Sequence, residues 1–103
     1  MKLILGSASP RRLEILQQAH IVPDKITPAN IDETPKAREL PLHYCERIAL
    51  EKANAISINK NEIILTADTT VAIGRRIMGK PHNSEEAIKF LKLLSGRRHK
   101  VIT

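Results

Sequence analysis

The residues best able to do chemistry are one carboxylate and a dispersed set of cations. Asp68 is the single charged group in Ile63-Ile64-Leu65-Thr66-Ala67-Asp68-Thr69-Thr70-Val71-Ala72-Ile73, an apolar, β-branched run that reads as a buried strand. An ionised carboxylate in such a place is costly unless a cation or a metal pairs with it. The available cations are Arg11 and Arg12 near the start, Lys52 on a helix, Lys80 after Gly79, and Arg97 and Arg98 near the end. Asp68 therefore needs a partner, and a carboxylate paired with such cations is a candidate functional group. A structural Asp at a strand end is the plainer alternative.

The elements that must carry these residues follow from local pattern. Leu3-Ile4-Leu5 reads as a buried strand running into the turn Gly6-Ser7-Ala8-Ser9-Pro10, with Ser9 as helix N-cap and Pro10 at the first helical position. Leu13, Leu16 and His20 then fall at helical spacing. The orphan amides of that first turn, the hydroxyls of Ser7 and Ser9 and the guanidinium groups of Arg11 and Arg12 together make an anion site suited to phosphate. Cations at a helix N-terminus oppose the dipole, which favours a bound anion over the alternative of a solvated basic turn. Residues 22 to 41, with four prolines, read as extended chain and loop; Asp32 and Glu33 there either help hold a divalent ion or form a solvated turn.

Leu42 to Ser57 reads as a helix whose apolar arc is Tyr44, Cys45, Ile48, Ala49, Ala55 and Ile56. Lys52 lies inside that arc, so its ammonium either snorkels to solvent or meets a phosphate or carboxylate in a cleft. Glu46, Arg47 and Glu51 read as an ordinary solvated face. Beyond the central run, Gly74-Arg75 predicts a two-residue type II′ hairpin, and Gly79-Lys80-Pro81 a constrained loop that lacks the spacing of a Walker A motif. Asn83-Ser84-Glu85-Glu86 predicts a capping-box start to a helix with Ala87, Phe90, Leu91 and Leu94 in the core and Ser95-Gly96 as its stop. A further strand begins in Arg97-Arg98-His99-Lys100-Val101-Ile102-Thr103, whose basic residues form either a solvated edge or a phosphate lid.

Composition bounds what such a chain does. Its 103 residues suffice for one domain, with 42% apolar content typical of a soluble protein. Tyr44 and Phe90 are the only aromatics, which leaves base stacking on aromatic platforms almost nothing to work with. The net charge of +6 and pI near 9.8 favour an anionic partner, polynucleotide or free nucleotide, although isolated lysines such as Lys25, Lys36, Lys60 and Lys89 serve solubility. Cys45 is the sole cysteine, so no internal disulfide forms, and with no signal peptide or membrane span the expected compartment is the cytoplasm.

Four blocks in order, Ser7-Ala8-Ser9-Pro10-Arg11-Arg12, Asp32-Glu33-Thr34, Ala67-Asp68-Thr69-Thr70 through Gly79-Lys80-Pro81, and Leu94-Ser95-Gly96-Arg97, make the chain resemble the Maf family of nucleoside triphosphate pyrophosphatases. The resemblance spans nearly all of the residues but only the N-terminal half of a family member. It implies a single domain over 1–103 with the C-terminal half of the fold absent. The fold implied is α/β, a Maf/ITPase-like mixed β-sheet with flanking helices and a cleft between two lobes. The implied reaction converts a nucleoside triphosphate to the monophosphate and pyrophosphate with a divalent metal cation, Mg or Mn. The Ala-Asp-Thr block is similar to the dTTP/UTP branch. By the same resemblance Asp68 is the proton acceptor and a metal ligand with Glu33, and Arg11 and Thr69 help set substrate preference. Ser7, Ser9, Arg12, Lys52 and Lys80 complete the substrate-binding set. A nucleoside triphosphate is the expected partner, with no membrane, no nucleic acid, and a homodimer allowed. The alternatives are an inactive truncated fragment and a small basic nucleic-acid-binding module.

Overall fold

The computed structural model describes residues 1–78, 84–94 and 100–103. The elements run β1 (Lys2–Leu5), α1 (Pro10–Gln18), β2 (Lys25–Ile26), α2 (Pro41–Ala55), β3 (Glu62–Leu65), β4 (Thr70–Ile73), β5 (Arg76–Met78), α3 (Ser84–Leu94) and β6 (Lys100–Ile102). They belong to two compact units, Met1–Glu33 with Ile48–Ala67, and Thr34–Arg47 with Asp68–Thr103. The α/β class and both senses of strand pairing are as expected, with parallel and antiparallel pairs sorted into separate three-stranded sheets.

In the first unit the sheet order is β2-β1-β3, all parallel. Ile4 and Leu5 are adjacent and therefore face opposite sides of the sheet, yet each is only 2% exposed, so the central strand is covered on both faces. β2 is a two-residue strand in a segment expected to be extended chain and loop, and Asp24 secures its start. The Leu3 amide donates to Asp24 Oδ2 at 2.8 Å, and the Asp24 amide to the Leu3 carbonyl at 2.8 Å. Edge strand β3 alternates, with Ile63 and Leu65 exposed and Ile64 half-buried, so only one of its faces is covered.

The run from Ile63 to Ile73 is therefore not one buried strand. It is β3, a four-residue connection, and β4, and Asp68 sits in the connection. The physical reason lies in the hydrogen bonds of that connection, which go to side chains and helix backbone instead of a ladder. Thr66 Oγ1 donates to the Ala49 carbonyl at 2.8 Å, and the Ala67 carbonyl accepts from Lys52 Nζ at 3.2 Å. Periodicity cannot distinguish one long apolar strand from two short ones interrupted in this way.

In the second unit the order is β5-β4-β6, antiparallel. Ile73 pairs with Arg76 across Gly74-Arg75, and Gly74 has φ +57° while Arg75 is not in the left-handed region, as a type II′ hairpin requires. Here α2 contributes Tyr44 and Cys45, both buried; Ile48, fully buried, continues the same helical face in the first unit. Lys52 and Ala49 are half-buried on that arc, whereas Ala55 is exposed.

Three helix expectations need correction. α2 starts at Pro41 and ends at Ala55, so Ile56 and Ser57 lie beyond it. α1 ends at Gln18, before His20, which takes φ +61° and is exposed, and none of its residues is buried. In α3, Leu91 is 67% exposed instead of core. Asn83, Ser95-Gly96 and the side chains of Phe90 and Leu94 lie outside the described residues. Among the described residues no helix is long and apolar enough to cross a membrane.

Candidate active site

The first unit supplies a basic turn built by local chemistry. Ser9 caps α1 with extended dihedrals, its Oγ accepting from the Arg12 amide at 3.4 Å, and Pro10 follows at the first position. Buried Ser7 is the hub of the turn. Its Oγ accepts from the Ser9 amide at 3.1 Å and from Arg12 Nη1 at 3.3 Å, so the guanidinium is drawn back over the start of the helix. Gly6 makes the strand-to-turn transition feasible by close approach: its amide donates to the Leu65 carbonyl at 2.8 Å, and a Cβ there would lie 2.6 Å from Thr66 Cγ2. Ser7, Ser9 and Arg12 are thus brought together. Arg11 points elsewhere, exposed and lining a shallow depression with Pro10, Glu14, Ile15 and Gln18.

Lys52 resolves the question its sequence position posed. Its stem lies along the half-buried face of α2, and its ammonium meets the Ala67 carbonyl at 3.2 Å and Glu33 Oε1 at 3.7 Å. The expected metal ligand Glu33 is therefore beside the expected phosphate ligand Lys52. An exposed carboxylate against a 13% exposed lysine side chain is a weak pair, readily exchanged for a stronger anion or cation.

In the second unit Asp68 is 7% exposed, and its Oδ2 accepts from Thr70 Oγ1 at 2.6 Å. The single S–H of buried Cys45 is shared between the Asp68 carbonyl at 3.3 Å and the Ile102 carbonyl at 3.5 Å. Thr69 is exposed, with its hydroxyl 3.3 Å from that of Thr103. The expected substrate ligand Lys80 lies outside the described residues, as do Gly79, Pro81, Arg97 and Arg98.

Arg47 is not an ordinary solvated side chain. Its guanidinium grips Glu39 in a fork, Nε to Oε2 at 2.6 Å and Nη2 to Oε1 at 2.8 Å, donates to the Thr34 carbonyl at 3.3 Å, and lies over the Tyr44 ring. The Arg47 hydrogen bond is the main reason the Glu39 carboxyl is held down to about 2; the Lys36 amide, donating at 3.0 Å, adds to it. This clasp fastens the loop that follows Glu33, and the eight-residue spacing across a helix start gave no periodic signal for it. Thr70 was also missed, although a hydroxyl two residues beyond a carboxylate in extended chain is a detectable signal.

Glu33 and Asp68 are hard oxygen donors of the kind magnesium and manganese prefer. Among the described residues no three of His, Cys, Asp and Glu gather closely enough to hold an ion. Each of the two carboxylates, taken in its own unit, suits a cation held through a single carboxylate with the remaining positions filled by substrate phosphate and water, and not a cage made of protein alone.

Against known proteins, the family described as "Maf: Maf-like protein" matches residues 2–103. The "dTTP/UTP pyrophosphatase" of Ruegeria sp. (strain TM1040) is 57% identical over 103 residues, 100% of this chain and 53% of the relative. The protein of the same description from Roseobacter denitrificans is 60% identical over 100 residues, 97% of this chain and 53% of the relative. A "Nucleoside triphosphate pyrophosphatase" of Rickettsia rickettsii is 49% identical over 105 residues, 100% of this chain and 49% of the relative. The chain spans about half the length of the curated relatives it matches.

Proposed function

The chain belongs to the Maf-like family, and from that premise we propose that it hydrolyses nucleoside triphosphates, dTTP and UTP foremost, to the monophosphate and pyrophosphate. The observation that carries this is the 57% identity across all 103 residues with a protein named for that activity. The geometry agrees in kind, since it offers a buried, oriented carboxylate and a serine- and arginine-lined helix start.

In the proposed mechanism a water oxygen attacks the α-phosphorus as the bond to the α,β-bridging oxygen breaks. Water gives a proton to Asp68 and its oxygen to the monophosphate; the electron pair of the broken bond leaves with pyrophosphate. Ser9, Arg12 and Lys52 take the polyphosphate oxygens, as does Lys80. Ser7 holds Arg12 in place by the contact described above, and Arg11 and Thr69 bear on substrate preference. A divalent cation, held by Glu33 and Asp68, would supply charge neutralisation of the phosphates. The proposed setting is the cytoplasm, in keeping with a chain whose single cysteine, Cys45, offers no internal disulfide.

The test is pyrophosphate release, followed by coupled phosphate detection, across the nucleoside triphosphates with magnesium or manganese. Release from dTTP and UTP ahead of the purine nucleotides is expected. No release from any of them, with salt-sensitive retention on polynucleotide instead, would overturn the proposal in favour of a basic binding module.

A further inference from the structure

Asp68 is held at two points by its own unit. The Cys45 thiol of α2 donates to its backbone carbonyl at 3.3 Å. The Thr70 hydroxyl of β4 donates to its carboxylate at 2.6 Å, within the range of charge-assisted O–H···O⁻ bonds. Both side chains of that second bond are shielded, Asp68 at 7% and Thr70 at 3% exposure.

A hydroxyl is the unexpected choice at position 70. Thr70 shares the buried face of β4 with Ala72, where valine would fill the same space without a polar atom that needs a partner. Its hydroxyl bonds to the one carboxylate of the central run. β-branching restricts χ1, so the hydroxyl is presented to Oδ2 with little rotamer freedom to lose. With Oδ2 gripped by the Thr70 hydroxyl and the backbone carbonyl held separately, the carboxylate has little freedom to rotate about its own side-chain torsions.

We propose that Thr70 is a positioning residue for Asp68: its hydroxyl, 2.6 Å from Oδ2, fixes the orientation of the carboxylate. For catalysis the proposal rests on Asp68 being the proton acceptor; for geometry it stands on the contact alone.

Two measurements separate these. This 103-residue chain has three aspartates, Asp24, Asp32 and Asp68, so ¹³Cγ labelling of aspartate gives it a resolvable carboxylate spectrum. Thr70→Val should move the Asp68 resonance while leaving Asp24 and Asp32 in place, and Thr70→Ser, which keeps the hydroxyl, should return it most of the way. In the pyrophosphate assay Thr70→Val should lower kcat about 10- to 100-fold with KM changed less than about twofold, and Thr70→Ser should recover most of that loss. Thr70→Ala takes the place of Thr70→Val if the latter does not fold. An Asp68 resonance unmoved by loss of the hydroxyl, or a serine variant behaving like valine, would overturn the proposal. A folded wild-type chain without pyrophosphate release counts against the pyrophosphatase reading, and the spectrum still decides the role of Thr70.

Discussion

Replacing Gly6 by alanine places a methyl where β1 hands over to the serine turn, and the surroundings leave it no room. The added Cβ would lie 2.6 Å from Thr66 Cγ2, 2.8 Å from Ile56 Cδ1 and 3.2 Å from Ile64 Cδ1. The isoleucine contacts are chain ends that can swing aside. Thr66 cannot move as cheaply, because rotating its methyl away also withdraws the hydroxyl from the Ala49 carbonyl at 2.8 Å. Nor can the backbone retreat without lengthening the Gly6 amide bond to Leu65, also 2.8 Å. Overpacking of a filled site costs about 1–3 kcal/mol, and a lost hydrogen bond adds about 0.5–1.5 kcal/mol, so Gly6→Ala should destabilise by about 2–4 kcal/mol. Urea denaturation of the variant beside wild type measures this directly. Thr66→Ser removes the obstructing methyl and keeps the hydroxyl, so the double variant should be more stable than the sum of the singles by at least about 1 kcal/mol. A Gly6→Ala change within about 0.5 kcal/mol of wild type, or no coupling to Thr66, would refute the reasoning.

Two further outcomes follow from packing and charge. Glu39 has a folded-state pKa of about 2 against an ordinary 4.5, so its pairing with Arg47 stabilises the fold above pH 4.5 and that contribution is lost as pH falls from there towards 2. Denaturation curves of wild type and Glu39→Gln should accordingly differ at neutral pH and converge across that acid window; a gap that persists unchanged at pH 2 contradicts the assignment. On α2, Ile48→Ala should cost about 2–5 kcal/mol because Ile48 is 0% exposed, whereas Leu50→Ala, at a site 62% exposed, should stay within about 0.5 kcal/mol in the same assay.

What could be read from the chain beforehand was whatever short-range chemistry decides. Ser9 and Pro10 mark a helix start because the capping partner is three residues away, and Gly74-Arg75 marks its hairpin because the turn type needs a positive φ at its first position. Tyr44, Cys45 and Ile48 follow from helical period. The break between β3 and β4 was not legible, since it depends on Thr66 and Ala67 finding partners on α2, 17 and 15 residues earlier. The same holds for the site. The crowding of Ser7, Ser9 and Arg12 was visible locally, but the divergence of Arg11 from Arg12, the Arg47 fork on Glu39 and the Cys45 contact to Asp68 are tertiary facts with no periodic trace. His20 was misplaced into α1 because spacing alone cannot register a residue at φ +61°.

The most direct test of the account is Asp68→Asn, a nearly isosteric change that removes the proton acceptor and keeps a side chain to which Thr70 can still donate. Pyrophosphate release from dTTP and UTP should fall by about 10²- to 10⁴-fold, while equilibrium binding of either nucleotide stays close to wild type. Turnover within a few-fold of wild type in a folded variant would contradict it.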